Sequence, residues 1–300
     1  MRRTFGGRQV VRTTGWLYAV VALLPAGAAA KEPEPEVLAR AAKWQVDYDK
    51  EACHLLAKFG EGRHQVIARF TRYKPGDAFD LTLYGSRLLG LNAKVPVTVA
   101  FGAGGSTVIG EAMTGTAGEE TPLLVLTNLR LDGRPGDAAD APGVTPAQES
   151  AIAEATFVIP RKRAFRLGFG SLGQPLAALR ACQADLLRHW GFDPQVQARL
   201  SRPAMPVAEP TGWINGFDYP QAMRVGNNVL VRFRLDLDSA GAVSACHVLY
   251  RSKPDDFADV ACRAVSERAR FRPALDAEGK PVRSFYIDEI RWLAPLTEAD

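Results

Sequence analysis

Hydrophobic and polar positions alternate along much of this chain. Trp44, Val46 and Tyr48 are separated by Gln45 and Asp47, Val66, Ala68 and Phe70 by Ile67 and Arg69, and Phe79, Leu81 and Leu83 by Asp80 and Thr82. Val95, Val97, Val99 and Phe101 keep the same period. A period of two sends successive side chains to opposite faces of a strand. Turn residues at Pro75-Gly76-Asp77 and at 102–105 separate the runs. Regularly spaced short strands predict a sandwich or a strongly bent sheet over residues 44–126. A long exposed loop is expected over the Gly-, Pro- and Asp-rich residues 133–146. A short helix near 147–155, one or two strands within 157–167 and a helix near 175–190 complete this half. Leu179, Cys182 and Leu186 share one face of that second helix.

The alternation is clearest near the C-terminus. Val229, Val231, Phe233, Leu235 and Leu237 fall on one face, and Leu230, Arg232, Arg234, Asp236 and Asp238 on the other. This predicts a strand with one buried side and a polar side in solvent, where the two arginines accompany the two aspartates. Asp238-Ser-Ala-Gly241 provides a hairpin turn into a second strand near 243–250. A helix opened by Pro254 follows, with Asp255 and Asp256 in its first turn and Arg268 and Arg270 near its end, as the macrodipole favours. A last strand is expected over 282–292.

This ββαβ order resembles the C-terminal domain of TonB, the periplasmic energy transducer. The resemblance rests on Tyr219-Pro220, on Leu235-Asp-Leu-Asp-Ser-Ala-Gly241, and on Phe271-Arg-Pro-Ala274 with Gly279-Lys-Pro-Val282. It covers about residues 215–293. It implies a non-enzymatic domain that captures an extended segment of an outer-membrane transporter by strand addition. Partner contacts are then expected at Tyr219, Pro220, Arg283, Phe285, Tyr286 and Ile287, on and beside the last strand. Residues 283–291 mix apolar and charged side chains on both faces, which suits an edge kept from aggregating.

The first thirty residues change the charge picture. Arg2, Arg3, Arg8 and Arg12 precede an apolar run from Trp16 to Leu24, and Ala28-Ala29-Ala30 follows. That layout predicts a cleavable export signal over residues 1–30, since the apolar run falls short of the roughly 20 residues that span a bilayer. TonB itself keeps an anchor. With those four arginines removed, 33 of the 37 Lys and Arg remain, against 33 Asp and Glu. A balanced mature chain gives no reason to expect nucleic acid or an anionic membrane surface as partner. The expected location is the periplasm, with membrane association only through partners.

Four cysteines in an exported chain predict two disulfides, and three pairings are possible in principle. Cys246 on the second strand and Cys262 on the overlying helix suit a local bridge. Cys53 and Cys182 would form the other, tying the second helix of the N-terminal half to its first strands.

The remaining motifs carry little chemistry. Gly168-Phe-Gly170-Ser-Leu-Gly173 fits a dinucleotide fingerprint, but the preceding segment is short and charged and no second strand follows at the right distance. His54, His64, His189 and His247 lack metal-ligand spacing and are expected to face solvent or cap helices. There is no G-x-S-x-G and no H-E-x-x-H, so an enzyme is disfavoured, and no nucleotide, metal or other cofactor is expected. The sequence therefore predicts an α+β protein: a sandwich-like, mostly β module with one or two helices over 31–202, a Pro-rich linker over 203–212, and a TonB-like ββαβ domain over 213–300. Its expected role is to bind an envelope protein, with TonB-dependent outer-membrane transporters as the class the resemblance implies. A periplasmic module for cell-wall or soluble ligands, using the same fold as a scaffold, stays open as the alternative.

Overall fold

In the N-terminal half the alternating runs become ten strands: β1 (Glu36–Ala39), β2 (Gln45–Tyr48), β3 (Cys53–Phe59), β4 (Val66–Arg72), β5 (Phe79–Tyr84), β6 (Lys94–Phe101), β7 (Ser106–Ala117), β8 (Thr121–Leu129), β9 (Glu154–Val158) and β10 (Phe165–Gly168). The structure, a computed structural model, describes residues 34–91, 94–102, 105–118, 120–136, 138, 141–218, 229–251 and 256–292. The expected leader, Tyr219, Pro220 and Pro254 lie outside the described residues. Residues 35–300 cluster as one unit.

The ten strands do not form a sandwich of two facing sheets. They form one sheet in the order β1-β10-β9-β6-β7-β8-β5-β4-β3-β2. The end of β1 then reaches β3 through an antiparallel bridge between Arg40 and Phe59. Ala41 N–H donates to the carbonyl of Lys58, and Gly60 N–H to that of Ala39, both at 2.8 Å. The sheet therefore closes on itself, which covers its edges and lets inward residues share one core. Phe59, Phe70, Phe101, Phe157, Phe165 and Phe169 are fully buried there. Helices α1 (Pro146–Ala151), α2 (Gly173–His189) and α3 (Pro194–Ala198) complete this half. Leu176, Leu179, Cys182 and Leu186 of α2 join the core, and the Cys53–Cys182 disulfide bonds α2 to β3.

The C-terminal region begins inside the expected linker. β11 (Met205–Pro206) pairs antiparallel with the later β14, and Val207 N–H donates to the carbonyl of Arg270 at 2.8 Å. Ala204 and Trp213 are buried. Residues 203–212 are thus pinned to the region they were expected to tether. Then come β12 (Val229–Leu237), β13 (Val243–Arg251), α4 (Asp256–Arg268), β14 (Phe271–Arg272), β15 (Ala274–Leu275), β16 (Pro281–Val282) and β17 (Ser284–Trp292). β12 lies between β13 and β17 in a three-stranded antiparallel sheet.

Phe257, Ala258, Ala261, Ala264 and Val265 form the buried face of α4, and Cys246 of β13 is bonded to Cys262 of α4. Gly241 closes the β12–β13 turn at φ +83°, where a Cβ would stand 2.4 Å from the Phe271 carbonyl oxygen. Only glycine fits that position without moving the backbone.

One expectation for β12 is corrected. Its polar face is not in solvent: Leu230, Arg234 and Asp236 are buried along with the apolar face. That face lies against the N-terminal sheet, and ion pairs replace water there.

Candidate partner-binding edge

β17 is held on one side only. Its register with β12 runs from Ser284 opposite Leu237 to Trp292 opposite Val229, and among the described residues no strand pairs with its other side. In an antiparallel strand the backbone groups of alternate residues point to the partner and away from it. Two contacts identify the outward set. The Arg283 carbonyl accepts from the Gln197 side-chain amide at 3.0 Å, and Glu289 N–H donates to the Asp288 carboxylate at 2.8 Å. Both belong to odd-numbered residues. The N–H and C=O groups of Phe285, Ile287, Glu289 and Arg291 therefore face outward. Asp288 and Gln197 occupy two of the outward groups, which blunts the edge without closing it.

The side chains expected to contact a partner are brought onto this strand but are engaged elsewhere. Phe285 meets Trp190 at 5.7 Å and Phe192 at 5.3 Å between ring centres, and Ile287 packs on the N-terminal core. The Arg283 guanidinium lies 5.6 Å from the centre of the Phe192 ring. Tyr286 turns the other way, into an aromatic group with Trp213 and Phe271 at 5.7 and 5.0 Å. Its hydroxyl donates to Asp288 at 2.8 Å. Burial, reinforced by the nearby Asp288 charge, raises the pKa of the Tyr286 phenol. What β17 presents outward is thus mainly backbone.

A cleft flanks the edge on each face. On the α4 side, one of about 480 Å³ runs beside residues 288–292, with Pro210, Thr211, Trp213 and Ile214 as its far wall. On the opposite side, one of about 440 Å³ separates the edge from Thr71, Asp80, Thr127 and Asn128 of the N-terminal sheet and from Lys74 in the turn after β4. Both clefts reach Asp288, Glu289 and Arg291.

Two arginines of β12 set the electrostatics beneath the edge. Arg232 pairs with Asp80, pairs with Glu289 at 2.6 Å and lies 4.4 Å from the Tyr73 ring centre. Burial opposes its charge, but Asp80 and Glu289 outweigh that and its pKa is raised. Burial likewise opposes ionisation of Glu289, yet Arg232 and Arg291 hold its carboxyl below the usual carboxylate range. The Tyr73 phenol is pushed up to about 12, chiefly by desolvation. Arg234 bonds Glu51 at 2.9 Å and Asp236 at 2.7 Å, and His247 lies 3.1 Å from the same aspartate. The two arginines expected in water are therefore cross-links to the N-terminal half, while Asp236 braces Arg234 and Asp238 accepts from the N–H groups of Ala240 and Ala242 in its own turn. Leu230, apolar on a face otherwise polar, was the one local sign that this face is covered.

Elsewhere, His54 corrects the expectation of a solvent-facing or capping histidine. It is buried, its Nδ1 lies 2.9 Å from the Thr71 hydroxyl, and desolvation lowers its pKa. The 168–173 glycine pattern does link β10 to α2, but β10 pairs antiparallel with β9 and α2 leads on to α3. Ser150 stands against Gly173, its hydroxyl oxygen 2.3 Å from where a Cβ would sit. Gly173 thus serves close packing of α2 against α1, and the antiparallel β9–β10 pair replaces the parallel first strand that a dinucleotide site needs. No cluster of three His, Cys, Asp or Glu among the described residues has metal-site geometry.

Residues 216–293 match the family described as Gram-negative bacterial TonB protein C-terminal. No curated protein and no solved structure matches the chain. The matched segment contains β12, β13, α4 and β17, and with them the open edge. No described helix is long and apolar enough to cross a membrane.

Proposed function

We propose that this is an exported, non-enzymatic envelope protein whose C-terminal region captures an extended segment of a partner as an added strand on β17. The observation that carries the reading is the one-sided pairing of β17 within a TonB-like segment. Unpaired backbone groups supply affinity in strand addition, and flanking pockets supply specificity. Two disulfides suit an oxidising compartment, in keeping with the periplasm. The family likeness points to an outer-membrane TonB-dependent transporter as the partner class.

The comparison with TonB has a limit that follows from the fold. TonB is understood to reach its transporter on a long proline-rich stalk. Here residues 203–212 are hydrogen-bonded to the C-terminal region, and β12 is ion-paired to the N-terminal sheet. The reading therefore assigns capture to the C-terminal region and no transmission of force across the envelope.

Thr211 is exposed on the wall of the α4-side cleft, so a photo-crosslinking residue there samples whatever occupies the edge. In cell envelopes the expected product is an adduct with an outer-membrane protein, mapped to an extended segment. An adduct pattern with no such protein would count against the reading.

A second reading, a module for a soluble or cell-wall ligand, draws on a different cleft. It measures about 550 Å³ and is lined by Arg40, Trp44, Ser171 and Gln174, and the indole N–H of Trp44 is buried there without a partner. Saturable quenching of Trp44 fluorescence by a soluble ligand would favour it.

A further inference from the structure

The two margins of the C-terminal sheet are guarded differently. The β12–β13 ladder carries register shifts at Arg232/Phe233 and Asp236/Leu237, and such irregularities twist an edge away from pairing. β17 instead follows β12 in unbroken register from Ser284 to Trp292, so its outer side is a regular template. Side chains guard it.

Gln197 of α3 accepts from the Ser284 hydroxyl at 2.8 Å and donates to the Arg283 carbonyl, which ends the free edge at its N-terminal end. Asp288 belongs to β17 itself and stands within the free stretch. One of its carboxylate oxygens accepts from the Glu289 N–H, and the other from the Tyr286 hydroxyl, both at 2.8 Å. Tyr286 is in turn packed against Trp213 and Phe271. The carboxylate therefore occupies an N–H that an added strand needs, and a packed side chain holds it there. The clefts on both faces reach Asp288, which leaves the side chain space to turn into when it lets go.

We infer that Asp288 is an autoinhibitory latch on the β17 edge. A captured strand must displace its carboxylate from the Glu289 N–H, and the Tyr286 hydroxyl sets how firmly the latch is held. The inference rests on strand addition at β17. A charge-assisted bond is stronger than one to a neutral carbonyl, so a single passing amide does not open the latch. An extended segment that also pairs at Phe285, Ile287 and Arg291 does. The latch thus selects for length of pairing and keeps the edge from sticking to unrelated strands.

Titration calorimetry of the purified protein tests it, with an end-capped eight-residue peptide alternating valine and threonine. The probe is uncharged, so removing a negative charge does not by itself change its attraction to the edge. Asp288→Ala should bind it about tenfold more tightly than the unaltered protein, the scale of one released hydrogen bond. Tyr286→Phe keeps the ring against Trp213 and Phe271 and should bind about threefold more tightly. The double variant should match Asp288→Ala, since the hydroxyl acts only through the carboxylate. Binding that is unchanged or weaker in both single variants, each folded by its melting temperature, overturns the latch while strand addition stands. No binding at about 1 mM by the unaltered protein or any variant overturns strand addition, and the latch with it.

Discussion

The guanidinium of Arg234 lies 3.9 Å from the centre of the Trp190 ring. This contact joins the central strand of the C-terminal sheet to the residue that ends α2. The same side chain bonds Glu51 and Asp236, so stacking and two ion pairs meet on one buried group. Removing one partner of a buried pair strands the others and costs about 3–5 kcal/mol. Arg234→Leu should lower thermal stability by that order. Calorimetry of the unaltered protein should show one transition, since the joined elements share it. Two separable transitions, with only the later strands affected by the substitution, would contradict this coupling.

The disulfides should rank by the length of chain they close. Cys53 and Cys182 are 129 residues apart, and Cys246 and Cys262 are 16 apart. Chain-entropy arithmetic gives about 5 kcal/mol for the first and about 3 kcal/mol for the second. Paired serine substitutions compared by urea unfolding should therefore show the larger loss for Cys53 and Cys182. The reverse order would mean that native contacts, not loop closure, decide the difference.

His54 predicts a pH dependence with a definite sign. Its pKa in the fold lies below the ordinary 6.5, mainly through desolvation, with Arg69 assisting and Asp49 opposing. Between the folded value and 6.5 the unfolded chain binds the extra proton. Stability contributed by neutral His54 is therefore complete above that pH and declines as the pH falls below it. His54→Gln can keep a hydrogen bond to Thr71 without titrating. It should flatten the loss of melting temperature between about pH 7 and pH 5. An unchanged slope would assign the loss to other groups.

These contacts also show what a sequence can carry. The β12 strand, the Gly241 turn and the α4 stripe were legible because each depends on neighbours a few residues away. The cysteines could be paired because the elements bearing them were already placed. The polar face of β12 was misread for the opposite reason. Alternation says that Arg232, Arg234 and Asp236 share a side, but not that Asp80 and Glu51, far back in the chain, cover it. The closed sheet was hidden similarly, since strand patterns do not reveal that β1 pairs with β10 or that Arg40 reaches Phe59. Pro203, Pro206 and Pro210 suggested a free linker, yet proline is also tolerated on a short edge strand such as Met205–Pro206. The open side of β17 followed from the charged residues mixed among apolar ones over 283–291. The use of Phe285, Tyr286 and Ile287 in packing did not, because that depends on Trp190, Phe192 and Trp213.

The most direct test of capture at β17 compares Arg291→Pro with Arg291→Ala. Both remove the side-chain contacts to Glu289 and Thr127. Only proline removes the N–H, which by the alternation along β17 points outward, where proline is tolerated. With the crosslinker at Thr211, the alanine variant should retain most of the envelope adduct. The proline variant should lose about tenfold, the scale of a lost hydrogen bond together with local misregistration, while its melting temperature stays near that of the alanine variant. Equal adduct yields from the two variants, both folded, would contradict recognition through the β17 backbone.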